Sequence, residues 1–283
     1  MVEDRVAQAE QIERYLRTGD RDLVPSGWPG QSFVGQAQAA WAALTAALLS
    51  ELGRRTARIS VKRPAAVPAG DLSSFTRAKV SPMVRGLFPR KEAESVLALL
   101  DQSVVFLTPE NVEASIRRES SLRTAWKIAN IYLSSVGAKP LGDDEWLVVG
   151  MSEETTCYVS LEYFEEKDPF ADFVVHEVAH VFHNTKRETA GLRQTRQREW
   201  LLPVSFQKRE LFAYSCEAYS RILEIGKRPA DRQALCAQLK QAHPPPDERV
   251  DPKEYLDVLA EAVTRRNGWK VILSRCTAGR GHP

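Results

Sequence analysis

The residues in this chain with the clearest chemical potential are His176-Glu177-Val178-Ala179-His180. On an α-helix, residues four apart differ by about 40° in direction and about 6 Å in height, so both imidazoles can face one metal ion. Imidazole nitrogen is a good zinc ligand. Glu177 lies about 100° round from His176, beside such an ion rather than on it. There its carboxylate can take a proton from a water acidified by zinc. The neighbours Val174, Val175, Val178, Ala179, Val181 and Phe182 are apolar. A helix apolar on nearly all sides is a core helix. Two histidines and a glutamate buried there cost free energy unless a partner such as a metal compensates.

A catalytic zinc needs a third protein ligand and an open position. His183 shares the face of the two histidines but lies about 10 Å along the axis from His176. No glycine between His180 and Gly191 offers a turn to bring it back. His183 is therefore expected off the metal, as a supporting group, a substrate contact or a helix-end polar group. The better source of a ligand is a second helix, Arg209-Glu210-Leu211-Phe212-Ala213-Tyr214-Ser215-Cys216-Glu217-Ala218-Tyr219. Glu210 and Glu217 are seven apart, within about 20° of one direction and about 10 Å apart along the axis. One can reach the metal while the other orients a ligand histidine or pairs with a base. Small Ala213 lets two helices approach closely. Cys216, about 240° round from Glu210, is expected in the core.

The combination of His176-Glu177-x-x-His180 with Glu210-x-Phe212-Ala213 resembles the glutamate-type zincins, or gluzincins, a group of zinc metallopeptidases. The longer pattern Glu210-x-Phe212-Ala213-x-x-x-Glu217-x-Tyr219 is most similar to the Mlc titration factor peptidases and, more loosely, to the catalytic domain of anthrax lethal factor. The resemblance covers roughly residues 140–225 and implies Glu210 as third zinc ligand; Glu217, about 10 Å along the axis and unable to share the ion, is then expected as a supporting residue. It also implies a strand-rich half before the motif helix, with 157–161 as the edge strand beside the active cleft. The related enzymes carry a tyrosine seven residues before the third ligand, where it can stabilise an oxyanion. This chain has Pro203 there, leaving Tyr158, Tyr214, Tyr219 and His183 as candidates for that task.

The surrounding elements read as mostly helical. Apolar positions at helical spacing predict a helix over 3–17, and Ala and Leu predict another over 35–54. Pro25-Ser26-Gly27-Trp28-Pro29-Gly30 is a turn-rich break. Residues 57–82 mix Pro, Gly and Ser and read as a loop or weak boundary. Helices are expected over 90–101, 109–118 and 121–135, with Thr108 as N-cap of the second. Others are expected over 170–184, 206–225, 229–242 and 251–266. Val104–Leu107, Trp146–Val149 and Cys157–Leu161 are strand candidates. The tail 277–283 reads as frayed, and the six tryptophans as core residues. The expected fold class is α+β, mostly helical: a helical N-terminal region over 1–95 and a zincin-like domain with a small sheet over 96–283.

The chain has 283 residues, 43 % hydrophobic and 27 % charged, which is ordinary for a globular protein. Lys+Arg is 39 against Asp+Glu 37, a net charge of +2, which gives no global electrostatic argument for nucleic acid or an anionic membrane, and neither is expected as a partner. The basic residues Lys186, Arg187, Arg193, Arg196, Arg198, Lys208 and Arg209 are read as a solvated segment. Cys157, Cys216, Cys236 and Cys276 are widely spaced and form no Cys-x-x-Cys pair. They suit a reduced, cytoplasmic setting. The expected function is that of a soluble metallopeptidase with Zn2+ as cofactor and a peptide or protein as substrate. Two alternatives are a zinc hydrolase of a non-peptide bond and a non-enzymatic interaction protein with a structural zinc. Glu177 argues against the last, because a structural site needs no base.

Overall fold

A computed structural model of the chain describes residues 2–59, 64, 67–68, 71–142, 149–153, 155–196, 198–241, 245 and 247–277. Of these, 64 % are helical and three short strands form one sheet. The helices are α1 (Val2–Thr18), α2 (Phe33–Thr56), α3 (Leu72–Leu87), α4 (Arg90–Ser103), α5 (Val112–Arg118), α6 (Leu122–Ser135), α7 (Phe173–Asn184), α8 (Arg209–Ile225), α9 (Pro229–Leu239), α10 (Pro252–Ala262) and α11 (Gly268–Cys276). The strands are β1 (Val104–Leu107), β2 (Gly150–Glu153) and β3 (Thr156–Ser160). No helix among the described residues is long and apolar enough to cross a membrane.

The chain divides into two compact units, interleaved in sequence. One comprises Met1–Ala65, Phe106–Val149 and Ser160–Glu162; the other comprises Ala66–Val105, Gly150–Val159 and Tyr163–Pro283. This division differs from the linear cut at 95/96, because α3 and α4 fall in the same unit as the motif helix. In the first unit α2 packs on α6 and α1. Ser32 and Ser121 cap α2 and α6 by accepting from the amides of Gly35 and Thr124. Tyr15 is fully buried and donates its hydroxyl proton to the Leu122 carbonyl at 2.8 Å. Gly19, at φ +75°, lies against Trp126, where an added Cβ would come within 2.9 Å of the indole.

In the second unit α7 packs most extensively on α8, and α3 packs on α4, α7 and α11. The helix α3 begins within the stretch 57–82 read from sequence as a loop and runs five residues past it. Pro82 sits inside it, costing a backbone hydrogen bond. Asp71 caps its start, and Val80, Met83, Val84 and Leu87, at helical spacing, are almost completely buried. Burial of that stripe outweighs the local penalty. Gly86 permits close contact with α11, since a Cβ there would meet Trp269 at 2.1 Å. The nine-residue α11 also has no counterpart in the sequence reading; it begins at the cap Asn267 and buries Trp269, Ile272 and Cys276.

The sheet order is β1-β3-β2, with β2 and β3 antiparallel and Gly150 opposite Val159. The expected strand at 146–149 falls outside the described residues except for Val149, and the expected fraying of 278–283 also lies outside them. Asn111, not Thr108, precedes α5; its side chain accepts from the Thr108 amide at 2.9 Å, so the helix starts later than expected. Among the tryptophans, Trp200 is 42 % exposed and is not a core residue. Arg187 is 2 % exposed and pairs with Glu92 at 2.9 Å, so it does not belong to a solvated segment.

Candidate metal centre

The motif helix α7 starts at Asp172, whose carboxylate accepts from the Val175 amide at 3.3 Å. Every residue from Val174 to Ala179 is buried. The helix places His176 and His180 one turn apart, with their Nε2 atoms 3.2 Å from each other. The neighbouring α8 brings Glu210 to the same point. Its Oε2 lies 3.4 Å from His180 Nε2 and 3.9 Å from His176 Nε2. Two imidazole nitrogens and one carboxylate oxygen are a donor set that four-coordinate zinc takes. Neighbouring ligand atoms on a tetrahedral ion with bonds of about 2.0–2.1 Å lie roughly 3.3–3.4 Å apart, and the observed edges bracket that spacing. His176, His180 and Glu210 could therefore hold a metal ion.

The groups behind the cluster orient it. Glu217, two turns along α8, places Oε2 2.9 Å from His176 Nδ1 and accepts the Asp172 amide on Oε1 at 2.6 Å. A carboxylate at Nδ1 keeps the proton there and turns the lone pair of Nε2 toward the cluster. Asp172 is in turn paired with Lys79 of α3 at 2.8 Å and accepts from the Tyr163 hydroxyl at 3.1 Å. Burial favours protonation of Asp172 and raises its pKa despite Lys79.

His183 lies 2.9 Å by Nε2 from His180 Nδ1. Burial and the neighbouring His180 push its pKa down to about 4. A neutral His183 can accept a hydrogen bond at Nε2 from His180 Nδ1, leaving His180 Nε2 to face Glu210. His183 is thus placed behind a candidate ligand.

The electrostatics favour a cation at the cluster. Burial alone would discharge His176, but the hydrogen bond to Glu217 and the charges of Glu217, Glu177 and Glu210 raise its pKa to about 9. Burial also opposes ionisation of Glu210, yet His180, Arg249 and His176 hold its pKa below the usual carboxylate value. Glu177 is buried next to the sheet, where a Cβ added at Gly150 would lie 3.4 Å from its Cγ. The strand alongside the motif helix is therefore β2. Segment 157–161 is not the edge: β3 lies between β1 and β2, and among the described strands β2 is the edge beside Glu177.

The tyrosines separate by position. Tyr214 packs edge-on against the His176 ring, centroids 4.5 Å apart. Burial and the carboxylates of Glu217, Asp247 and Glu210 raise its pKa, keeping it a proton donor. Tyr219 instead packs edge-to-face with Trp269, and its hydroxyl accepts from the Gly268 amide at 3.2 Å. Tyr158 is 0 % exposed within the sheet, leaving no surface for a substrate to meet. Pro203 is exposed and supplies no donor.

Several neighbours of this site, Asp172 among them, were missed by the sequence reading. Lys79 was hidden by the loop assignment of α3. Tyr163 carries no motif. Arg249, 3.1 Å from Glu210 Oε1, lies in the Asp247-Glu248-Arg249 stretch before α10, where Asp247-x-Arg249 was the available local signal. No family model matches the chain, and no curated protein or solved structure matches it.

Proposed function

We propose that this protein is a zinc-dependent metallopeptidase of the gluzincin type, with His176, His180 and Glu210 as ligands and Glu177 as general base. The observation that carries the reading is the convergence of two imidazole Nε2 atoms and one Glu210 oxygen, from two helices, with ligand atoms within 4.8 Å of one another. Bound zinc supplies a Lewis acid and an acidified water near neutral pH. Glu177 holds the abstracted proton on its carboxylate and returns it to the leaving amine. Glu217 and His183 keep the ligand rings in register. Tyr214 offers a protonated hydroxyl next to His176 for charge developing on the substrate.

The test is metal analysis together with hydrolysis of an unstructured protein substrate. The metal-replete chain is expected to hold one zinc and cleave the substrate. Glu177→Gln is expected to keep the zinc and lose cleavage. Zinc without cleavage of peptide bonds overturns the peptidase reading, and no stoichiometric metal overturns the site.

A further inference from the structure

The two oxygens of Glu210 face different surroundings. Oε2 faces the imidazoles, at 3.4 and 3.9 Å. Oε1 faces Arg249 Nη2 at 3.1 Å and Arg209 Nε at 3.5 Å. The Arg249 head group is itself held. Its Nε donates to both oxygens of Asp247, at 2.9 and 3.1 Å, and its Nη2 donates to Asp247 Oδ2 at 2.5 Å. The Arg249 amide also donates to Asp247 Oδ1 at 2.8 Å. A guanidinium is a rigid planar fork, so fixing one edge fixes the direction of the rest. The Arg249 side chain is 56 % exposed, but the two carboxylates that it meets, Glu210 and Asp247, are only 11 % and 16 % exposed.

A carboxylate with both oxygens free can take two positions on a metal. One whose second oxygen is paired with a cation offers a single position. Ligand number separates four-coordinate zinc from divalent ions that favour six oxygen-rich positions. We propose that Arg249 is a positioning residue that restricts Glu210 to one-oxygen ligation, and so sets the coordination number and metal preference of the His176–His180–Glu210 cluster. This rests on the reading that the cluster holds a metal.

The experiment uses the full chain loaded with Co2+, whose visible absorption is far stronger in four-coordinate than in six-coordinate sites. Competition titrations with Zn2+ and Mn2+ accompany it. Wild type is expected to give the intense four-coordinate bands. Arg249→Gln is expected to weaken them and to shift the Zn2+/Mn2+ affinity ratio toward Mn2+ by about tenfold. Asp247→Asn, which keeps the guanidinium but loosens it, is expected to fall between the two. An Arg249→Gln protein with the wild-type spectrum and ratio overturns the inference. If that variant does not fold, Asp247→Asn decides, and wild-type behaviour there overturns it. Weak six-coordinate bands in wild type overturn the inference alone. Failure of wild type to bind Co2+ or Zn2+ overturns the metal site as well.

Discussion

Glu210 and Glu217 share a helix and a residue type, yet their surroundings assign them different work. Glu210 points one oxygen at both Nε2 atoms, whereas Glu217 spends its oxygens on His176 Nδ1 and the Asp172 amide. A lost ligand removes a bond to the metal; a lost orienting group leaves the bond but frees the ring. Groups of the second kind cost about 10–100-fold in metal affinity when removed. Glu210→Ala is therefore expected to lose nearly all zinc binding, and Glu217→Ala to weaken it within that range, read by chelator competition. The reverse ranking would contradict the assignment.

At the scale of elements, the segment after α7 is held down by a buried charge. Arg187 pairs with Glu92 of α4 at 2.9 Å, with side chains 3 % and 9 % exposed, and its Nε donates to the Arg193 carbonyl at 3.0 Å. Arg198 stands 3.6 Å from the other Glu92 oxygen, but it is 54 % exposed and is a weaker partner. Removing one member of a buried pair leaves the other uncompensated, at a cost of about 3–5 kcal/mol. Arg187→Met is expected to destabilise the protein by that amount in urea unfolding. Arg187→Met with Glu92→Leu is expected to recover much of the loss. Equal losses in the single and double variants would show that the pair is not what holds the segment.

At the scale of the molecule, all three proposed ligands lie in one of the two compact units. A metal that binds only the folded state stabilises it by about 4 kcal/mol at a thousand times its Kd. Chelation is therefore expected to lower the melting temperature and to reduce amide protection in α7, α8 and β2. Protection in α1, α2, α5 and α6, which belong to the other unit, is expected to change little. Hydrogen exchange with and without chelator checks this, and unchanged protection in α7 and α8 would show that the cluster does not couple metal to folding.

The amino-acid sequence by itself determined the motif helix, because the spacing of His176 and His180 and the apolar residues around them are local properties of one helical turn after another. The mostly helical class was legible for the same reason, and so were β1 and β3, as short apolar runs. Periodicity states which way a residue faces around its own axis. It does not state where one helix stops against another, so it left Glu210 and Glu217 within about 20° of each other and unable to be ranked on direction alone. Only the packing of α8 on α7 puts Glu210 at the imidazoles and Glu217 behind them. The helix α3, with Lys79 on it, was concealed because local turn chemistry at Pro82 opposed a burial that exists only in the assembled core. β2 as the edge, and Arg249 against Glu210, bring together segments distant in sequence; tertiary structure alone decided them, because contact across such separations leaves no spacing to read.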